Sequence, residues 1–545
     1  MSNRIDYGTP DPRVRRYLMP ARVVWSSGDL KNVEALLVDD DNTAVLTPPD
    51  GDQPTAFLLD FGREVHGGVR IDIVHMHPER PARARIRFGE SVSEAMGQPV
   101  NDHSMHDFDH NLPWFGHIEL GNTGFRFVRV DLLDPKNSID IKTVKAVALY
   151  RDLPYLGSFQ CSDQRLNEIW QTGAYTTHLC MQDHVWDGIK RDRLVWVGDI
   201  HPEAMVISTV FGEADVLPQS LDYVRDRSKL PCWMNGHSSY SLWWIQTHYD
   251  WYRYHGNLDY LKEQRDYLVA LLAYIETCLE PDGRETLGGA RFLEWPTSRD
   301  PSAIDLGMQA LTAWTLRTGA QLCRIIGEPD AAERAQRNAR LAASCQRPPS
   351  SSKQANALRV LAATADAQKI NNEHLARDPY HGLSTFYGYY ILQARAMAGD
   401  YAGCLDLIRT YWGGMLDAGA TTFWEGFDID WMINAGRIDE LVPEGKVDIH
   451  ADCGDYCYQG LRHSLCHGWA SGPTAWLTEH VLGLAPVAPG FERMTVSPHL
   501  AGLDFARGTL PTPHGIVTVC HERRPDGEIE TKIDAPKGIE LDTSA

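Results

Sequence analysis

Four carboxylates stand close together in one stretch of the chain. Asp187, Asp192, Asp199 and Glu203 fall within residues 182–203, with Trp186, Trp196, Lys190, Arg191 and Arg193 among them. A solvated helix face rarely holds two tryptophans and a glycine. Carboxylates accept bonds from hydroxyls or move protons, and aromatic rings stack on the apolar faces of sugars. The stretch therefore has the makings of a sugar-cleaving pocket. A buried salt-bridge network closing a helix onto a loop would use the same residues, and composition alone leaves both readings open.

The chain is 545 residues long, more than one ordinary core can serve, so several domains are expected. A charged fraction of 23% and a hydrophobic fraction of 43% are those of a globular protein, which argues against disorder. The net charge of −21 excludes the basic footprint of a nucleic-acid or anionic-membrane partner. It leaves room for a local Arg/Lys pocket. The sixteen Trp and twenty-one Tyr suit a carbohydrate binder. Cys453 and Cys457 lie four apart near His450 and Asp452, but no second Cys/His pair completes a metal site, so no metal is expected. The first ten residues are polar, and no run of 18 apolar residues occurs, so neither a signal peptide nor a membrane span is read. A cytoplasmic location is the expectation, in keeping with unpaired cysteines. The oligomeric state stays open, with a homodimer among the options.

These side chains need a frame. Residues 56–61, 69–74, 82–89 and 124–132 read as strands separated by Gly, Pro and Asp turns, which predicts an N-terminal β-sandwich. At Cys161 the period changes to 3.6. Ser162 or Asp163 can cap a first helix, and the helical pattern continues to about residue 480. Helices are predicted over 239–255, 257–279, 303–326, 331–345, 355–368, 383–398 and 401–416. Loops at 291–298 and 420–431 concentrate Glu294, Trp295, Trp424 and Glu425. Sequential helical hairpins with such loops suggest a closed ring converging on a central pocket. A stacked solenoid is the alternative, but no fixed repeat is visible. After about Gly483 a small β domain, punctuated by proline, ends the chain.

Several segments together resemble the bacterial α-L-rhamnosidases of glycoside hydrolase family 78, across nearly the full length. They are residues 60–68 (DFGREVHGG) with 87–91 (RFGES), the acidic stretch 182–203, residues 421–425 (TTFWE) and residues 464–468 (SLCHG). Pro489-Gly490-Phe491 and Pro498 resemble the family's C-terminal β domain. The resemblance implies a multidomain protein: an N-terminal β-sandwich over 1–157, a central all-α (α/α)6 barrel over 158–482, and a small C-terminal β-sandwich over 483–545. It implies an inverting hydrolase of terminal α-L-rhamnosides that needs no cofactor. The family usually has Glu as general acid, seven residues before the Asp of its Gly-Asp pair. Here that position is Asp192, one methylene shorter and flanked by cations that should lower its pKa.

On this resemblance Asp192 is the acid and Glu425 the base, with Glu203 and Glu294 in reserve. Asp187, Asp199, Arg191 and His467 would hold sugar hydroxyls. The methyl of rhamnose calls for an aromatic wall, for which Trp196, Trp244, Trp295 and Trp424 are the candidates. Two rival readings remain: a barrel acting on another sugar, with Lys190, Arg191 and Arg193 pointing to an anionic one, or a catalytically weak carbohydrate-binding protein that lost its Glu.

Overall fold

A computed structural model of the chain describes residues 10–49, 51, 53–98, 106–456 and 458–542. Cys457 of the cysteine pair lies outside them. Among the described residues no cluster of three His, Cys, Asp or Glu side chains could hold a metal ion. No helix among them is long and apolar enough to cross a membrane.

The N-terminal β region is one nine-stranded sheet with a main apolar core and a smaller cluster of Leu58, Val92, Ala95 and Phe127. Four strands carry it: β1 (Thr55–His77), β2 (Ala82–Gly89), β3 (Gly116–Leu132) and β4 (Ser138–Arg151). β1 pairs antiparallel with β3 and with β4, and β2 pairs with β3. The sequence pattern suggested two strands parted by a turn at Gly67-Gly68. Instead, β1 runs through, with register shifts between Asp60 and Val65 and between Gly67 and Val69. The glycines serve close approach rather than a turn. Gly67 has φ 142°, and a Cβ there would come 1.9 Å from the Val147 carbonyl oxygen.

The helical region begins with α1 (Gln164–Cys180), whose Asp163 cap accepts from the Arg165 and Leu166 amides. It continues through α2 (Ile200–Val210), α3 (Val216–Arg227), α4 (Ser238–His255), α5 (Arg265–Thr277), α6 (Pro301–Ile325), α7 (Pro329–Ser344), α8 (Lys353–Leu361), α9 (Gly388–Met397), α10 (Tyr401–Leu407) and α11 (Gly472–Trp476). Gly256, at φ 67°, ends α4, and Asn257 caps the following turn. The predicted helix over 401–416 is interrupted by a π turn at Ile408–Trp412. Helix α2 packs on α4, α4 on α6, α6 on α8, α8 on α9, α9 on α11, and α11 back on α2. Asp199, His237 and His467 all precede members of this closed series, so the side chains of interest gather at its N-terminal ends.

The C-terminal β region has a four-stranded sheet and a three-stranded one. Ser158–Cys161, at the sequence-predicted edge of the helical region, pairs with Phe505–Thr512 of the four-stranded sheet.

The N-terminal sheet is tied to the helical region by buried polar groups. Arg126 grips Asp60 at 2.7 and 2.9 Å and donates to the Gly419 carbonyl at 2.9 Å. The Glu64 amide donates to Thr421 Oγ1 at 2.9 Å, and the Leu465 amide donates to Glu90 Oε2 at 2.6 Å. Lys190 is 1% exposed, with its Nζ 3.1 Å from Glu94 Oε1 and 3.7 Å from Glu90 Oε2. The same ammonium donates to the Leu461 and His463 carbonyls. Removing one member of a buried pair strands the other charge. Lys190→Met should therefore cost about 3–5 kcal/mol in thermal unfolding. Adding Glu94→Gln should restore part of that loss. A double variant as unstable as the single one would show that the ion pair is not what was lost.

Candidate active site

A cavity of about 500 Å³ opens at the N-terminal end of the helix series. Eight of the sequence candidates line it: Asp187, Arg191, Asp192, Trp196, Asp199, Trp295, Glu425 and His467. Backbone hydrogen bonds stitch three separate stretches into its floor. The Gly468 amide donates to the Asp187 carbonyl at 2.8 Å, the His467 amide to Phe423 at 2.9 Å, and the Glu425 amide to Ser464 at 3.0 Å. Gly188 pairs with His467 across this seam, where a Cβ would come 2.8 Å from the Cys466 carbonyl oxygen. Only glycine lets the acidic loop lie so close.

Arg191 organises the charges. Its Nη2 is ion-paired with Glu425 Oε2, and its Nη1 lies 3.7 Å from Asp192 Oδ1. Its Nε donates to the Arg462 carbonyl at 3.0 Å. Glu425 is buried, and burial raises its pKa above the usual carboxylate value while Arg191 opposes the rise. The Asp192 side chain is 31% exposed. Asp192 and Arg193 have φ of 53° and 54°, both left-handed. Asp is several-fold enriched in that region. Arg191 alone of the three flanking cations forms an ion pair with Asp192 among the described residues. Lys190 is turned into the β region, and Arg193 donates to the Asn122 carbonyl. The cations thus do not converge on a shared anion.

Below this pair lie Asp187 and Asp199, whose pKa values burial raises well above the usual range. Asp187 Oδ1 accepts from the Leu194 amide at 2.9 Å, and Tyr240 donates its hydroxyl to Asp199 Oδ1 at 2.6 Å. His467 Nε2 stands 3.9 Å from Asp187, 4.0 Å from Asp199 and 4.0 Å from Glu425. Burial, then Arg191 and His463, push its pKa well below the usual value, so the imidazole is neutral. One wall is aromatic: Trp196, His237, Tyr240, Phe292 and Trp295 contact one another with centroids 4.9 to 6.1 Å apart.

Three candidates do not line the cavity. Trp244 is buried in α4 and donates to the Leu221 carbonyl at 3.3 Å. An inward helical Trp serves the core here. Trp424 is packed against Phe427 and His463, on the far side of the chain from its neighbour Glu425. Glu294 is fully buried and accepts from the Ser384 hydroxyl. The reserve residue Glu203, one turn after Asp199 in α2, is likewise buried away from the cavity, against Gly468. Lining residues that sequence reasoning missed are His237, Tyr240, Phe292, Tyr456, Arg462 and Trp469. Phe292 sits inside a stretch already singled out and Trp469 directly follows another, which was a usable signal. Tyr240 carries none, because it looks like any other aromatic of α4.

Burial pushes the Glu294 pKa up to about 8, above its unfolded value of 4.5. The folded state then binds more protons than the unfolded one between those values, so stability falls as pH rises through them. Glu294→Gln should flatten the fall in Tm from pH 5 to pH 9 measured by calorimetry. An unchanged slope would contradict this.

Comparison with known proteins places this geometry. The model for the bacterial alpha-L-rhamnosidase 6 hairpin glycosidase domain matches residues 154–355, and that for the bacterial alpha-L-rhamnosidase C-terminal domain matches residues 483–542. An alpha-L-rhamnosidase of Alteromonas sp. (strain LOR) is 30% identical over 148 residues, which is 25% of this chain and 14% of that protein. Among solved structures, the GH78 family rhamnosidase of Bacillus sp. GL1 superposes with a TM-score of 0.77 at 21% identity, over 94% of this chain and 55% of that one. A rhamnosidase from Klebsiella oxytoca with rhamnose bound gives 0.68 at 20% identity, over 86% of this chain and 96% of that one. The chain thus spans a small part of the curated relative and about half of the Bacillus structure. Residues 154–355 and 483–542 are similar to the six-hairpin glycosidase domain and the C-terminal domain of the bacterial α-L-rhamnosidases.

Proposed function

We propose that the chain is an inverting glycoside hydrolase that removes terminal α-L-rhamnose, with Asp192 as general acid and Glu425 as general base. The observation that carries this is the Arg191 guanidinium between the two carboxylates, one at the cavity mouth and one buried below. Asp192, at the mouth, is placed to protonate the glycosidic oxygen as the leaving group departs toward solvent. Glu425 takes a proton from a water whose oxygen attacks the anomeric carbon from the opposite side. The carbon–oxygen bond to the leaving group breaks as the new one forms. Inverting pairs stand ~6.5–9.5 Å apart to admit that water, and a guanidinium held between two carboxylates is compatible with such a gap.

Arg191 opposes the upward shift that burial gives the Glu425 carboxyl, and so favours the ionised form that a base requires. Asp187 and Asp199 hold protons above the usual carboxylate range, so each can donate as well as accept at a sugar hydroxyl. Neutral His467 does the same from between them. The aromatic wall of Trp196, Phe292 and Trp295 is the apolar surface on which the methyl of rhamnose would rest, where a hydroxymethyl would leave a hydroxyl unpaired. The shortened acid suits its backbone, since Asp tolerates the left-handed φ better than Glu. The helix series that closes on itself supports an (α/α)6 barrel over 158–482, between β domains at 1–157 and 483–545. The carbohydrate is the partner this site asks for.

Release of p-nitrophenol from its α-L-rhamnopyranoside tests the assignment. Glu425→Gln and Asp192→Asn should each lower kcat by about 10²–10⁴. Asp192→Glu should retain more activity than Asp192→Asn. An inert wild type, or variants within a factor of a few of it, would overturn the reading. Arg191→Met removes the group that lowers the Glu425 pKa. The acid limb of the kcat–pH profile should therefore move to higher pH. A limb that stays put, or moves down, would remove Glu425 from the base role.

A further inference from the structure

A second depression of about 290 Å³ adjoins the first. The two meet at three points along the chain. Trp295 lines one and Pro296 the other, Glu425 one and Gly426 the other, and Tyr456 lines both. Each junction is a pair of consecutive residues or one shared residue, so the two cavities are built on the same loops. Tyr456 is the partition. Its hydroxyl donates to the Pro296 carbonyl at 3.1 Å, and the Arg299 guanidinium lies 4.4 Å from its ring centroid.

The second cavity is lined by aromatic rings and carboxylates. Half-buried Trp431 stands edge-to-face with Phe427 at 6.0 Å and His463 at 5.7 Å. Tyr458 and Tyr456 complete the aromatic surface, and Asp428 and Asp455 are exposed at its rim. Asp428 caps the turn at Ile429–Met432, and Asp455 pairs with Arg299 at 3.3 Å. Ring faces suit the apolar side of a pyranose, and exposed carboxylates accept from its hydroxyls. An acidic rim disfavours a uronate.

We propose that this second cavity is a leaving-group subsite for an uncharged saccharide, so that the substrate is the rhamnose-terminated end of a neutral oligosaccharide. The proposal rests on the hydrolase reading above. In that reading the substituent on the glycosidic oxygen must leave through the mouth beside Asp192. A saccharide there would run past Tyr456 onto Trp431.

Two measurements test it. The first compares kcat/KM for p-nitrophenyl α-L-rhamnopyranoside with that for trisaccharides bearing terminal α-L-rhamnose on cellobiose, lactose or rhamnobiose. At least one trisaccharide should exceed the aryl glycoside, and Trp431→Ala should lower the ratio of the two by about tenfold, the worth of one aromatic face, mainly through KM. Trp431→Phe, which keeps a ring, should retain most of the ratio and guards against misfolding. A wild-type ratio at or below one for all three trisaccharides would overturn the proposal, as would a Trp431→Ala loss that is equal on both substrate types. The second is calorimetric titration of the intact protein with cellobiose and lactose, which carry no terminal rhamnose and so read the subsite without turnover. Millimolar binding to wild type that weakens in Trp431→Ala supports the subsite even if no rhamnoside is cleaved, in which case the hydrolase reading alone fails. Absence of binding for both overturns the subsite.

Discussion

Two adjacent cations, pointing opposite ways, hold the site together. Lys190 turns into the N-terminal sheet and is held by Glu90 and Glu94, while Arg191 turns into the cavity and is held by Glu425. The chain bends at these residues, and their side chains find partners on different sides, so one short stretch ties the N-terminal sheet to the cavity. Lys190 also donates to the carbonyls of Leu461 and His463, in the loop that carries Arg462 and leads into His467. The acidic loop and the histidine loop therefore hang from the same ammonium. The β region is part of the machinery that places the carboxylates, not an appendage beside it.

The chemistry then depends on giving like groups unlike surroundings. Asp187, Asp199 and Glu425 are all buried, and burial raises all three. Only Glu425 has a guanidinium against it. Asp192 alone is partly open to solvent, at the end of a loop whose backbone favours a short acidic side chain. In the proposed reading, environment rather than residue type would separate a base, an acid and two hydroxyl-binding groups. Neutral His467 at the centre adds hydrogen-bonding capacity without adding charge.

The same economy explains the aromatic residues. Trp196 and Trp295, in loops at the end of the helix series, form part of the cavity wall, whereas Trp244 and Trp424 fill the core. Trp469 does both, with its indole stacked on Phe386 at 4.7 Å and donating to the Glu425 carbonyl at 2.9 Å while lining the cavity. A wall built this way is rigid, because each ring is held by the next.

The sequence by itself determined the order β, helical, β, a first helix capped at Ser162 or Asp163, and the loops from which most of the cavity is built. These are local matters: periodicity, cap chemistry and the clustering of Trp, Asp and Glu over a few residues. It also carried the spacing of Asp187, Asp192 and Asp199. What it could not decide was which of several similar side chains faces the cavity. Glu294 and Trp295 are neighbours, as are Trp424 and Glu425, yet one of each pair lines the cavity and the other packs behind it. That choice depends on which face of a loop meets the next layer, and the partners come from far along the chain. Lys190 reads as one of three basic residues beside an acid until the sheet supplies Glu90 and Glu94, a hundred residues away. Tyr240 reads as core until α4 is set beside Asp199. Long-range packing assigned those roles, because burial and charge pairing are properties of neighbours in space and not of neighbours in sequence.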